Sequence, residues 1–162
     1  MIIAATGHRP DKLPNKEIGY TLPNPTYNYV YREIEKILLK YNPEKCISGM
    51  ALGTDQYFAA VCVRLKIPFI AAVPFLGQES MWNTKTQQTY QKLLQRASEV
   101  VIVSPGSYSA AKMQIRNEYM VDHCDLLIGV FDGTSGGTKN CLDYAKSKNK
   151  EIIIIDPKLA SK

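Results

Sequence analysis

Two glycine-bearing stretches hold the residue types best suited to chemistry, Ser48-Gly49-Met50-Ala51-Leu52-Gly53-Thr54-Asp55 and Asp132-Gly133-Thr134-Ser135-Gly136-Gly137-Thr138. Each follows an apolar run that suits a strand and precedes a segment that suits a helix. A chain turning through glycines into a helix leaves backbone N–H groups unpaired and aims the positive helix end at one spot, which suits a phosphate or another small anion. Two such turns suggest a nucleotide pocket. In the first, Gly49 would let the backbone approach a ligand, and Thr54 or Asp55 could cap the next helix. A tight turn with an N-cap explains the same residues equally well. In the second, Gly136-Gly137-Thr138 is the better cradle, because consecutive glycines leave N–H groups uncovered and Thr138 adds a hydroxyl. Neither spacing is G-x-G-x-x-G or the G-x-x-x-x-G-K-[ST] of an NTPase loop, and Lys139 is followed by Asn140, so ATP hydrolysis is not favoured.

Four further groups carry polar or aromatic function. His8-Arg9 precedes Pro10 and is therefore steered out of the α region. Arg9 could clamp a phosphate or carboxylate through two hydrogen bonds, and His8 could donate to it or move a proton. The plainer account pairs Arg9 with a surface acid and packs His8. Asp132 at a strand tip is placed to bind ribose hydroxyls or act as a base, or else it caps the turn that follows. Arg116 and Asn117 fall in a helix just before a strand, where a surface salt bridge is the ordinary expectation. Pro74-Phe75 follow another strand, and Trp82 with Phe75 could stack a base or simply fill the core.

The hydrophobic patterning supplies elements that would gather these residues. Apolar runs predict strands over 2–6, 45–48, 68–73, 100–103, 126–131 and 152–155. Helical spacing predicts helices over 26–41, 55–66, 84–97, 113–124 and 138–147. A loop over 7–25 is longer than most connections in a compact domain, which marks its first residues as functional candidates. Strands alternating with helices, and strands apolar throughout, imply an α/β fold: a mostly parallel sheet covered on both faces. Ligands of such sheets bind outside the carboxyl ends of the strands. The loops after strands one to five, with Ser104 to Tyr108 after strand four, would then share one rim and carry all these candidates except Arg116 and Asn117. The lysine-containing tail after Pro157 looks dispensable.

The 162-residue chain has the size of one domain, residues 1–162. Its apolar fraction of 45% and charged fraction of 22% are ordinary for a globular protein, and no segment approaches the roughly 20 apolar residues of a membrane span. The start, Met1-Ile2-Ile3-Ala4-Ala5, is too short and lacks the basic lead-in of a secretion signal, so a cytoplasmic protein without membrane contact is expected. Cys46, Cys62, Cys124 and Cys141 form no C-x-x-C pair and sit in or beside apolar segments, so they read as buried hydrophobes with no metal or disulfide. The net charge of +5 comes partly from Lys146, Lys148, Lys150, Lys158 and Lys162, which read as a solvated basic face.

Taken together, Thr6-Gly7-His8-Arg9-Pro10, Ser48 to Asp55, Val73-Pro74-Phe75 with Gln78-Glu79 and Trp82, Arg116 to Asp122, and Asp132-Gly133 before Gly136-Gly137-Thr138 resemble the YpsA-like branch of the SLOG superfamily, named for the SMF/DprA and LOG proteins. The resemblance implies a Rossmann-like three-layer α/β/α fold that binds nucleotides or nucleotide-derived ligands. It also implies a homodimer. The LOG enzymes hydrolyse the N-glycosidic bond of nucleoside monophosphates. Met113-x-x-Arg116-Asn117-x-x-Met120 resembles their Arg-Lys helix, and Gly137-Thr138-Lys139-Asn140 resembles their Gly-Thr-x-Glu turn. Arg116 carries over, whereas Asn117 stands in place of lysine and Asn140 in place of the catalytic glutamate. An amide cannot take up a proton or stabilise an oxocarbenium-like centre as a carboxylate does.

The first reading is therefore a binding module for a nucleoside monophosphate, ADP-ribose-like compound or nucleotide sugar, with no cofactor and no metal. Gly136, Gly137 and Thr138 would hold phosphate, Arg9 and Arg116 negative charge, and Asp132 the ribose. A second is an N-glycosidic hydrolase or transferase, with Asp132 or Glu79 replacing the missing glutamate and His8 carrying a proton. Single-stranded DNA binding, suggested by the DprA relatives, ranks last, because basic and aromatic residues are not interleaved and nucleic acid is not the expected partner.

Overall fold

The computed structural model describes residues 1–14 and 24–161. Residues 15–23 of the predicted loop lie outside the described residues. Six parallel strands, β1 (Ile2–Gly7), β2 (Lys45–Ser48), β3 (Phe69–Val73), β4 (Glu99–Ile102), β5 (Leu126–Val130) and β6 (Glu151–Ile155), form one sheet in the order β4-β3-β2-β1-β5-β6. They alternate with α1 (Pro25–Tyr41), α2 (Thr54–Leu65), α3 (Thr84–Arg96), α4 (Ala110–Asp122) and α5 (Gly137–Ser147). This is the expected Rossmann-like α/β architecture. Every strand pairing is parallel, so "mostly parallel" becomes wholly parallel.

The two faces of the sheet follow from the period of two along each strand. Ile3, Ala5, Cys46, Phe69, Ala71, Leu126 and Ile128 point to one side, where Val30, Ile34 and Leu38 of α1, Phe58 and Cys62 of α2, and Tyr90 of α3 cover them. Ala4, Ile47, Ala72 and Leu127 point to the other, against Met120 and Val121 of α4 and Cys141, Leu142 and Ala145 of α5. The buried strands had to be apolar on both sides because both sides are covered. All four cysteines are buried and free.

Element ends show how local sequence placed the helices. Asn24 caps α1 by accepting from the N–H groups of Thr26 and Tyr27 at 2.9 and 3.2 Å, with Pro25 in the first turn. Asn42, left-handed at φ 46°, ends it. Helix α4 begins at Ala110, three residues ahead of the expected start, because Ser109 accepts from the Lys112 N–H at 3.3 Å. The tail is not a loose end: Pro157 is buried, and residues Pro157–Ser161 form a 3-10 turn packed on α1. Among the described residues, no helix is long and apolar enough to cross a membrane.

Candidate functional site

The chain builds the sheet outward from β1 through β2 and β3 to β4, then returns to lay β5 on the other side of β1. The connections leaving β1 and β5 therefore part in opposite directions, and the split between them opens a crevice at the carboxyl ends. A cavity of about 180 Å³ lies there, lined from β1 and its loop by Thr6, Gly7, His8, Arg9, Asp11 and Lys12. Ala51 and Asp55 line it from the β2–α2 turn, Met113, Arg116 and Asn117 from α4, and Gly137 and Thr138 from α5.

The first glycine turn supports this cavity more than it lines it. Gly53 has φ +86°, and a Cβ there would lie 2.9 Å from the His8 carbonyl oxygen and 3.2 Å from the Arg9 Cα, so only glycine lets α2 start this close to the β1 loop. The Thr54 hydroxyl donates to the His8 carbonyl at 3.1 Å, and its methyl lies where a side chain on Gly7 would be. Ser48 donates to the Asp55 carbonyl at 2.7 Å and accepts from the Met50 N–H at 3.2 Å. Gly53 and Thr54 thus hold the His8-Arg9 backbone in place from behind, and Ser48 fixes the turn that carries them. Neither Thr54 nor Asp55 caps α2, since Gly53 occupies the cap position without a side-chain bond.

Arg116 departs furthest from its sequence-based expectation. It makes no surface salt bridge: it is 4% exposed, and its neighbour Asn117 is 8% exposed. The Arg116 guanidinium donates through Nη1 to the Gly49 carbonyl at 2.6 Å and through Nε to the Asn117 side-chain oxygen at 3.0 Å. Its Nη2 has no hydrogen-bond partner among the described residues. A Cβ on Gly49 would sit 2.6 Å from Arg116 Nη1 and 2.8 Å from Asp55 Oδ2, so this glycine is the gap through which the arginine reaches the cavity. Asp55, 6% exposed, accepts from the Ala51 N–H at 3.2 Å but makes no ion pair with Arg116. Burial pushes its carboxyl above the usual range, partly offset by the Arg116 charge and the Ala51 bond. Burial likewise lowers Arg116, against the pull of Asp55.

On the β5 side, His8 Nε2 lies 2.7 Å from Asp132 Oδ1, with the imidazole against Phe131 at a ring separation of 5.7 Å. The same carboxylate oxygen accepts from the Thr134 N–H and hydroxyl at 3.0 and 2.7 Å. Desolvation acts to raise the Asp132 pKa, but the Thr134 and His8 hydrogen bonds outweigh it and hold the carboxyl well below its usual range. Asp132 does not line the cavity: it orients the imidazole that does. Gly133 and Gly136, at φ +96° and +139°, turn the chain into α5, which has no side-chain cap. Its first residues, Gly137 and Thr138, face the cavity.

Lys12 is a cavity residue that sequence reasoning missed. Its ammonium donates to the Ser135 carbonyl at 3.1 Å and lies 2.8 Å from where a Cβ on Gly136 would be, tying the β1 loop to the α5 turn. The available signal was the 3-10 turn opened by Pro10, which swings Asp11 and Lys12 back over the crevice. Arg9 is exposed at the mouth and makes no ion pair among the described residues.

Past Arg9 and Met113 the cavity adjoins a larger groove of about 620 Å³ whose lining includes Phe75, Leu76, Met81, Trp82 and Tyr108. Pro74 and Phe75 are buried, Phe75 meeting Tyr108 edge-on at 5.9 Å, while Leu76, Met81 and Tyr108 are 78%, 93% and 68% exposed. Trp82 leans edge-on against Tyr90 at 5.3 Å, so it serves both the core and the groove wall. Glu79 bonds Gln91 outside the cavity, and Asn140 is exposed on α5. Among the described residues, no three His, Cys, Asp or Glu side chains cluster as a metal site.

The YpsA family model, described as the YspA SLOG family, matches residues 3–158. The chain belongs to the YspA SLOG family. Among curated proteins it is 40% identical over 130 residues to the uncharacterized SPbeta prophage-derived protein YoqJ of Bacillus subtilis, covering 70% of this chain and 75% of YoqJ. Among solved structures it is similar in fold to DNA processing protein A (DprA) of Streptococcus pneumoniae, with a TM-score of 0.69 at 15% identity over 95% of this SLOG chain and half of that one. DprA of Helicobacter pylori, whose structure is described for its single-stranded DNA binding mode, gives 0.67 at 17% identity, covering 96% of this chain and 65% of that one. The expectation that nucleic acid is not the partner is corrected by that neighbour. The same fold carries single-stranded DNA in that protein. Basic and aromatic residues are not interleaved along the sequence, but folding brings Arg9 beside Phe75, Trp82 and Tyr108 from separate loops.

Proposed function

We propose that this SLOG chain binds a nucleotide or nucleotide-derived anion at the carboxyl rim of its sheet, with phosphate in the cavity and the base along the aromatic groove. The observation that carries this reading is Arg116, a buried guanidinium lining a cavity with no carboxylate in ion-pair contact. Buried charges are normally paired, so an anion from outside is the expected partner. Arg9, Lys12 and the uncapped start of α5 add positive character at the same place. The exposed apolar residues beside the cavity supply a platform for a flat ring.

The expected affinity is low-micromolar, on the order of −8 kcal/mol. Titration calorimetry with nucleoside monophosphates, ADP-ribose and a nucleotide sugar tests it, and an absence of binding across that panel would refute it. A single-stranded oligonucleotide belongs beside them, because of the fold shared with the DNA-binding H. pylori protein. Oligonucleotide binding that falls steeply with salt would make the mononucleotide site one part of a nucleic-acid surface. The proposal takes residues 1–162 as one domain acting in the cytoplasm.

A second reading, breakage or exchange of an N-glycosidic bond, draws on the His8–Asp132 contact of 2.7 Å, which fixes an imidazole at the cavity wall. Glu79 and Asn140 lie outside the cavity, so neither supplies the carboxylate of the LOG reaction. Incubation with nucleoside monophosphates separates the readings. Released base and ribose phosphate mean catalysis, and intact nucleotide means binding alone.

A further inference from the structure

A carboxylate is an unexpected wall for an anion site, yet Asp55 is one. It stands on the first turn of α2, is 6% exposed, and lines the cavity with Arg116. Its Oδ2 is satisfied by the Ala51 N–H at 3.2 Å. Oδ1 has no hydrogen-bond partner among the described residues. Arg116 directs Nη1 to the Gly49 carbonyl and Nε to the Asn117 side chain, and makes no ion pair with Asp55. Oδ1 is not sealed from solvent but opens to the cavity, so a bound molecule that displaces water from it must supply a donor in its place. A phosphate dianion has no proton to give. A sugar hydroxyl does, and the sugar of a nucleotide lies between its phosphate and its base, as Asp55 lies in the cavity that joins the base-sized groove.

We propose that Asp55 accepts the vicinal hydroxyls of the ligand's sugar, so that the site selects a ribose phosphate over a 2-deoxyribose phosphate or bare phosphate. This rests on the phosphate reading above and assigns to Asp55 the ribose role that sequence reasoning gave to Asp132. Asp132 has its Oδ1 filled by Thr134 and His8 and does not reach the cavity.

The test is calorimetry of the full chain with ribose 5-phosphate, 2-deoxyribose 5-phosphate and inorganic phosphate, each on wild type and Asp55→Asn. The amide oxygen of asparagine can still accept from the Ala51 N–H, so the turn is preserved. Wild type is expected to prefer ribose 5-phosphate over its deoxy form by about tenfold to a hundredfold, as for a hydrogen bond to a charged group. Asp55→Asn should abolish that preference while inorganic phosphate binds as well or more tightly, a negative wall charge having been removed. Equal wild-type affinity for the two sugar phosphates overturns the proposal and leaves the phosphate reading standing. So does an Asp55→Asn variant that weakens all three probes alike, which marks a structural role only. If none of the three binds wild type, the phosphate reading falls and this inference falls with it. The wild-type comparison decides even if the variant does not fold.

Discussion

Placing a carboxylate at the head of α5 separates the fold from the site in one substitution. Gly137 is the first residue of that helix, lines the cavity, has no positive φ, and would bring a Cβ into open space with nothing within 4 Å. Gly137→Asp therefore creates no clash. An acid in the first turn favours the helix dipole by about 0.3–1 kcal/mol, and replacing glycine restricts the unfolded chain by a similar amount. The melting temperature should stay level or rise. With the new carboxylate and a phosphate both in a cavity of about 180 Å³, their separation is taken as roughly 4 Å, the scale of a direct charge contact. At an effective dielectric of about 20 that repulsion is near 4 kcal/mol per charge pair, or close to a thousandfold in affinity. Low-micromolar binding would become millimolar. The assay is calorimetry with the tightest-binding nucleotide on wild type, Gly137→Asp and Gly137→Ala, each checked by thermal melting. Gly137→Ala should bind within a few-fold of wild type. A folded Gly137→Asp protein with unchanged affinity would remove the α5 cradle from the site.

Gly53→Ala should cost more than about 1 kcal/mol in urea unfolding, because φ +86° and the 2.9 Å approach to the His8 carbonyl leave a Cβ no room, and nucleotide affinity should drop as the Arg9 loop shifts. For Asp132, the folded pKa lies below the unfolded value of about 3.9, so its stabilisation is complete above that pH and is lost as pH falls through the folded value. Chemical denaturation of wild type and Asp132→Asn should accordingly show a gap at pH 5 that narrows below pH 4; a constant gap would deny the Asp132 network. Deleting residues 157–161, expected from sequence to be harmless, should instead lower stability by roughly 1–3 kcal/mol through loss of the turn packed on α1, measurable as a lower urea midpoint.

The alternation of apolar strands with amphipathic segments was enough to place the six strands and five α-helices of the described residues, because hydrophobic periodicity is a local property of the chain. Boundaries moved by one to three residues where caps decided them, as Ser109 did for α4. Parallel pairing and two covered faces follow from strands with no polar side, and with them the gathering of the loop candidates on one rim. His8, Arg9, Asp55, Gly137 and Thr138 do line one cavity, and Phe75 its neighbour.

What each of those residues faces was settled by contacts between segments far apart in sequence. Arg116 looked like a surface cation because nothing near it in sequence says that Gly49, 67 residues earlier, offers a carbonyl and a gap where a side chain would be. Lys12 went unnoticed because its partner, the Ser135 carbonyl, is 123 residues away. Gly53 and Thr54 turned out to brace the His8-Arg9 loop, and Asp132 to hold His8, for the same reason. Local periodicity carries the hydrophobic driving force and hence the architecture. Charge burial and hydrogen-bond partnership depend on distances in space, and only the packed sheet brings those groups together.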